Sequence, residues 1–88
     1  MELRLKNYLQ ELEFEAMKDV SGYRRVEEEV LVEVVQIEDP KIYIVRTEES
    51  LRYGESKVKF VIFRSVPKLM TYVGRFLYVD EEVNNNEM

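Results

Sequence analysis

The feature that most constrains the fold of this chain is a set of strand-like segments that are apolar on both faces. Residues 24–38, 41–48 and 57–65 show the residue alternation of β-strands. The positions between their apolar residues are largely apolar too, as in the run from Val30 to Val35. A small antiparallel sheet with helices on one face normally has a polar second face. These strands therefore need cover on both faces, either by closing into a small barrel or by packing against another chain.

The first twenty residues predict an α-helix. One face of it is formed by leucines and an alanine at helical spacing: Leu5, Leu9, Leu12 and Ala16. The pair Ser21-Gly22 is typical of a helix end, because glycine readily adopts the left-handed conformation after the last turn. Leu3, Phe14 and Met17 lie roughly opposite the main stripe and give the helix a second, smaller apolar patch.

The segment after residue 65 has two interpretations. Pro67 at a helix start, apolar residues at helical spacing and Gly74 at the end favour a short helix. The alternative is a continuous strand from Met70 onward with a bulge at Gly74. In both cases residues 75–80 predict a last strand. Residues 81–88 hold three asparagines and three glutamates, which predicts a disordered acidic tail.

These elements predict one α+β domain over residues 1–80. Its N-terminal helix packs on a four-stranded antiparallel sheet, with a short helix before the last strand. A small closed barrel is the alternative architecture. If the sheet stays open, we expect the second face to form the interface of a homodimer or larger homo-oligomer. The interface residues that we predict are Leu31, Val35, Tyr43, Val45, Val61 and Phe63 of the sheet and Leu3, Phe14 and Met17 of the helix.

Composition narrows the function classes. The chain has no histidine and no cysteine, which excludes thiol nucleophiles, Cys/His zinc sites and Ser-His relays within it. We therefore predict a non-enzymatic interaction or regulatory protein with no catalytic residue, no cofactor and no metal. Lacking a signal pattern or a long apolar run, it is expected to be cytoplasmic and not bound to a membrane. Many charged residues and few amides are typical of a thermophile, and the small size suits a virus or mobile element of one.

Charge is segregated along the chain and leaves a second function open. Residues 41–79 contain eight basic and three acidic side chains, although the whole chain has a net charge of −5. Basic and aromatic residues interleave in the segment 57–78, a pattern that suits phosphate neutralisation and base stacking. The nucleic-acid-binding alternative would use Lys57, Lys59, Arg64, Arg75 and Tyr72.

A third and less favoured function is metal-dependent cleavage of nucleic acid. Helix acids Glu11, Glu13 and Glu15 precede Asp39, and Glu55 and Lys57 follow. This order is similar to that of restriction-enzyme-type nucleases, in which two carboxylates hold Mg²⁺ and a lysine orients the attacking water. The pattern departs from that family in that Asp39 sits in a proline turn and Glu55 precedes its strand.

Overall fold

The computed structural model has two helices and five antiparallel strands, and the strands form one open sheet. It describes the backbone of residues 1–86 and the side chains of residues 1–78. The elements in chain order are α1 (Leu3–Glu11), β1 (Glu15–Ala16), β2 (Gly22–Glu27), β3 (Val30–Ile37), β4 (Ile42–Ser50), a 3-10 turn (Arg52–Gly54), β5 (Ser56–Phe63) and α2 (Val66–Asn86). The strands lie side by side in sequence order. The predicted α+β class with an antiparallel sheet is confirmed. The closed barrel is wrong, because β1 and β5 are the two edges of the sheet and do not pair with each other.

Both helices pack on the same face of the sheet, which we call the inner face. The core between the helices and the sheet consists of Leu5 and Leu9 of α1, Phe14 after it, Val66, Leu69 and Val73 of α2, and Tyr23, Val32, Val34, Tyr43 and Val45 of the strands. Val34 of β3 lies opposite Val45 of β4 in the register, and both are fully buried. Burial of these side chains is the main source of stability for a domain of this size.

The N-terminal helix is shorter than the predicted 1–20, and Phe14 explains why. In a continuous helix Phe14 would lie opposite Leu5 and Leu9, outside the core. Instead α1 ends after Glu11, and Glu13 adopts a left-handed conformation with φ of 67°. This reversal places Phe14 in the core with 4% exposure. The following residues form β1, which pairs with β2 and is absent from the predicted strands.

The predicted long strand 24–38 is in fact a hairpin. β2 and β3 pair with each other, and Glu27 lies opposite Val30 across a turn made by Glu28 and Glu29. The strand count therefore rises from four to five, together with β1. Glu28 and Glu29 do not indicate a turn by residue type, because two-residue hairpin loops usually contain glycine or asparagine.

The short helix and last strand predicted for residues 66–80 are also wrong, because α2 is a single helix that continues past Gly74. A side-chain Cβ at Gly74 would lie 2.6 Å from the Tyr8 hydroxyl oxygen, so this glycine lets α1 approach α2 closely. Over the part of the chain that is described, neither helix has the length and apolarity needed to cross a membrane. The predicted tail, 81–88, concerns residues whose side chains lie outside the described range, and it stays a prediction.

A hydrogen bond from Tyr8 links the two helices. The Tyr8 hydroxyl donates to the backbone carbonyl of Met70 at 3.0 Å. Burial raises the pKa of the Tyr8 phenol, and the neighbouring Tyr78 phenol raises it further. The neutral, hydrogen-bond-donating form of Tyr8 is therefore the one that fits between the helices.

Candidate functional site: the outer sheet face

The face of the sheet opposite the helices, which we call the outer face, is largely apolar. The strand register shows which side chains belong to this face, since residues that lie opposite each other on neighbouring strands point to the same side of the sheet. The apolar members are Val26, Leu31, Val35, Ile37, Ile42, Ile44, Val58, Phe60 and Ile62. No element of the described chain covers this face in the way that α1 and α2 cover the inner face.

Exposure separates the two faces clearly. Val26, Phe60 and Ile62 are 61–62% exposed, and Val58 and Ile37 are 45% and 40% exposed. The core strand residues of the inner face are at most 7% exposed. Contiguous apolar surface of this kind marks an interaction site, because monomeric proteins rarely leave it in water.

A row of paired charges crosses the outer face. Arg46 of β4 contacts the carboxylates of Glu33 at 3.0 Å and Glu48 at 2.5 Å, and Arg24 lies 3.9 Å from Glu33. Two positive and two negative groups thus neutralise one another within the protomer. Over strands β2–β5 the charges of the outer face therefore cancel, in contrast to the chain as a whole, and Glu15 of β1, which lies opposite Arg24, adds a negative charge near the edge.

At the β2 side the outer face continues into an open groove. The segment 13–20 and strand β2 line a cavity of about 620 Å³, and Val20 is 47% exposed there. Met17 packs against Gly22, where a Cβ would lie 3.2 Å from the methionine sulfur and 2.8 Å from the Val34 carbonyl oxygen. Gly22 therefore permits the loop to lie close to the sheet and leaves Val35 as the neighbouring apolar group.

The six sheet residues predicted to form the interface do not share a face. Leu31 and Val35 are on the outer face, half-buried. The other four, Tyr43, Val45, Val61 and Phe63, are on the inner face, and Tyr43 and Val45 are 2% and 0% exposed. The register is the reason, because it pairs odd positions of β3 with even positions of β4 but odd positions of β4 with odd positions of β5.

The three helix residues predicted for the same interface are also separated. Leu3 is 68% exposed on α1, Phe14 is in the core, and Met17 lies in the loop beside Gly22. Only Met17 is next to the outer face. The second apolar patch expected on the N-terminal helix therefore does not form.

The residues predicted for nucleic-acid binding are divided between surfaces. Lys57 and Lys59 project from the inner side of β5, whereas the exposed aromatic Phe60 projects from the outer side. Tyr72 packs on Phe63, with ring centroids 5.3 Å apart and planes at 52°. The exposed Arg64 follows β5, and the exposed Arg75 is on α2. The basic residues and the most exposed aromatic of β5 therefore do not form one stacking surface.

Two essential residues of the nuclease pattern, Asp39 and Glu55, are far apart. Asp39 precedes β4 and Glu55 follows it, so they lie at opposite ends of a nine-residue strand. Such a strand spans about 30 Å, well beyond the reach of one metal ion. Among the side chains that are described, no group of three histidine, cysteine, aspartate or glutamate residues is arranged to hold a metal ion.

Comparison with known proteins gives no relative: no family model, no curated protein and no solved structure matches this chain. The candidate site therefore rests on geometry. Several of its residues, notably Ile44, Phe60 and Ile62, were absent from the predicted interface. A usable signal was present, because the face that contains Glu33 and Arg46 has to be the one that meets solvent.

Proposed function

We propose that this protein is a non-enzymatic interaction protein that works as a homo-oligomer, in which the outer face of one protomer packs against that of a second copy. The observation that supports this most directly is the exposure of Val26, Phe60 and Ile62 on one face of a sheet whose other face is covered by helices. Covering this apolar surface is favourable because it removes it from water.

The charges of the outer face favour a second copy as the occupant. Identical surfaces with a net charge repel each other when they are brought together. The pairs that Arg46 and Arg24 form with Glu33 and Glu48 leave strands β2–β5 of this face neutral, so two copies meet over these strands without such repulsion. Two stacked sheets then lie about 10 Å apart with their strands roughly 30° from parallel.

The size of the outer face is adequate for a dimer. Four strands about 4.8 Å apart and about 27 Å long give a face of roughly 500 Å². If about 600 Å² of apolar surface is buried over both copies, the gross gain is on the order of 15 kcal/mol. The cost of association is about 4–15 kcal/mol. The net result allows a stable dimer and depends on how closely the two faces fit.

The first test is the absolute mass in solution, measured by light scattering behind a sizing column at low and high salt. We expect a dimer or larger species, and not the 10.6 kDa monomer, at both salt concentrations, because apolar burial is not screened by ions. An assembly that dissociates in high salt would instead indicate pairing between the acidic and basic segments. A monomer at all concentrations tested would refute the proposal.

A pair of variants locates the interface. Ile62→Asp places a charge at a 62% exposed position on the outer face, and Leu3→Asp does so at a 68% exposed position on α1. We expect Ile62→Asp to have a lower mass than wild type and Leu3→Asp to keep the wild-type mass, with both retaining the circular dichroism of the native fold. The reverse result would place the interface on the helix. Phe63→Lys is unsuitable for this test because Phe63 packs on Tyr72 within the protomer.

A further inference from the structure

The two edges of the sheet differ in length and chemistry. At one edge, β1 has only two residues and pairs with β2 beside the charged side chain of Arg24. Such a short, charged edge strand resists pairing with a further strand. At the other edge, β5 has eight residues and exposes Val58, Phe60 and Ile62. Within the described residues, no strand pairs with the free side of β5. A long, apolar, unpaired edge strand is a template for another strand.

The direction of the main-chain groups of β5 follows from two hydrogen bonds. Leu51 donates to the Glu55 carbonyl at 2.7 Å, which makes Leu51 and Glu55 a hydrogen-bonded pair in the β4–β5 register. Antiparallel ladders alternate, so the odd residues of β5 bond to β4. On the other side of β4, Ser50 donates to Glu29 at 2.8 Å, which assigns the even residues of β4 to β3 and agrees with this pattern. The N–H and C=O groups of Val58, Phe60 and Ile62 therefore point to the free edge.

We infer that β5 pairs with β5 of a second copy, antiparallel, about a two-fold axis that passes beside Phe60. In this register Phe60 lies opposite its own counterpart, and Val58 lies opposite Ile62. All three residues present both their apolar side chains and their unbonded main-chain groups, so each hydrogen-bonded pair gains two main-chain hydrogen bonds. An antiparallel pairing of identical strands is isologous, as closed dimers require.

The lysines of β5 favour this register over the neighbouring register whose axis passes beside Lys59. A two-fold axis at Lys59 also satisfies the main-chain alternation, but it places Lys59 directly opposite Lys59 of the other copy, and like charges in that position are destabilising. With the axis at Phe60, Lys59 lies opposite Val61, and Lys57 lies opposite Phe63. In the protomer Lys57 lies opposite Glu49 of β4 in the register.

Edge pairing extends the assembly beyond the proposed face contact. Two protomers joined at β5 form one continuous sheet, in which their outer faces become a single apolar surface of twice the area. If such surfaces also stack face to face, the two kinds of contact together generate a tetramer with three two-fold axes. The edge pairing does not depend on the stacking, because it uses main-chain groups at the edge and not the centre of the face.

The absence of cysteine makes the edge pairing directly testable by disulfide trapping. In a hydrogen-bonded antiparallel pair the Cα atoms are about 5.5 Å apart, within the range of about 4.4–6.8 Å that a disulfide needs. We expect Phe60→Cys to form a disulfide-linked dimer under dilute oxidising conditions. Val58→Cys alone should not, because the two copies of residue 58 are four residues out of register, or about 13 Å along the strand. The double variant Val58→Cys/Ile62→Cys should link again.

Val26→Cys is the matched control, because Val26 is 61% exposed against 62% for Phe60 but lies on β2, near the other edge. Its rate of cross-linking gives the background from random collision. Selective linking of Phe60→Cys and of the double variant supports the inference. Equal linking at residues 26, 58 and 60 would overturn it.

The fate of the edge contact and of the face contact can be separated. If light scattering gives an oligomer but Phe60→Cys links no faster than Val26→Cys, edge pairing is wrong and the face contact stands. If Phe60→Cys links selectively in an Ile44→Asp background, the edge contact forms without stacking, because Ile44 lies towards the centre of the outer face. A wild-type protein that is monomeric by mass would overturn both.

Discussion

Strand β4 shows most directly how the two faces of the sheet differ. Its alternate residues Tyr43 and Val45 are buried, whereas Ile42 and Ile44, of the same apolar character, remain partly exposed. The side chains do not cause this difference, because β-branched residues occur on both sides. It arises from connectivity: α1 precedes the sheet, α2 follows it, and both pack on the inner face. The outer face keeps a core-like composition with nothing in the described chain above it.

The largest expected effect comes from placing the same charge on each side of β4. Val45→Asp buries a carboxylate without a partner, which costs several kcal/mol, against a total stability of roughly 4–13 kcal/mol for a chain of this length. We expect this variant to be largely unfolded. Ile44→Asp places its carboxylate at the solvent side, and we expect the folded protomer to lose about 1 kcal/mol. Urea unfolding followed by circular dichroism at low protein concentration measures both.

Equal destabilisation by the two substitutions would contradict the assignment of faces. A subtler outcome is also informative. The difference in unfolding free energy between wild type and Ile44→Asp can also be compared at low and high protein concentration. If this difference is larger at high concentration, the increase is the stabilisation that wild-type protein gains from assembly, because association stabilises by mass action.

The second prediction concerns the contact that holds the two helices together above the inner face. Alanine favours a helix over glycine by about 1 kcal/mol, but at position 74 its Cβ would meet the Tyr8 hydroxyl at 2.6 Å. Overpacking of this kind costs about 1–3 kcal/mol. Since the two effects oppose each other, we expect Gly74→Ala to destabilise the protein by up to about 2 kcal/mol, measured by thermal and urea unfolding.

Removing the hydroxyl should reverse the sign of that effect. In a Tyr8→Phe background the next atom, the ring Cζ, lies at an ordinary contact distance of 3.9 Å from the added Cβ. Gly74→Ala should then stabilise by up to about 1 kcal/mol, which is the helix-propensity gain alone. A destabilisation of the same size in both backgrounds would show that Gly74 is required for some reason other than the Tyr8 contact.

Gly74 also shows where the sequence misleads. A glycine after a run of helical spacing resembles a helix end, and the β-prone residues Phe76 and Tyr78 resemble a strand. The helical spacing of Leu69, Val73 and Phe76 was nevertheless present, and tertiary packing decided between the two patterns. By contrast β4 and β5 were predicted to within about two residues, because the proline turn at 38–41 and Gly54 bound them clearly.

The face assignment could not be obtained from the apolar pattern alone. Four residues separate Ile37 from Ile42, whereas five separate Ser50 from Ser56. When an even number of loop residues joins the two strands, odd positions of one strand lie opposite even positions of the other. When the number is odd, odd positions lie opposite odd positions. The predicted interface takes odd positions on all three strands and so groups Val35 with Val45, although they lie on opposite faces. The register of each turn, and not residue type, determines which strand residues form the candidate interface.

The third prediction uses the pH dependence of the helix contact. Because burial raises the pKa of Tyr8 above its ordinary value of 10.0, the folded state holds the phenol proton more tightly than the unfolded state. Its stabilisation is therefore fully present below pH 10 and is lost as the pH rises through the folded-state pKa. At pH 7 we expect Tyr8→Phe to lower the unfolding free energy by about 1 kcal/mol, because the hydrogen bond to Met70 is lost. Above pH 10 we expect the unfolding free energy of the variant to fall less steeply with pH than that of wild type. Parallel stability curves would contradict this.

The smallest expected effect on stability comes from the charges of the outer face. Arg46 and its partners Glu33 and Glu48 remain 17–36% exposed, and ion pairs in contact with water contribute about 0–1 kcal/mol. Arg46→Met should therefore change the unfolding free energy of the protomer by less than about 1 kcal/mol. It does, however, leave the outer side of strands β2–β5 with a net charge of −1, so two copies would repel each other. We expect a several-fold weaker self-association by sedimentation equilibrium, also because Glu33 loses its nearer partner.

Arg46→Met/Glu48→Gln restores neutrality over strands β2–β5 while removing the same arginine. If neutrality is what allows two copies to stack, this double variant should associate more tightly than Arg46→Met alone, although it has one ion-pairing group fewer. If instead Arg46 contacts the other protomer directly, the double variant should be as weak as the single one. The two faces of the sheet would then differ in a further respect: the inner face depends on shape and burial, whereas assembly through the outer face depends on a specific charged contact as well as on covering apolar surface.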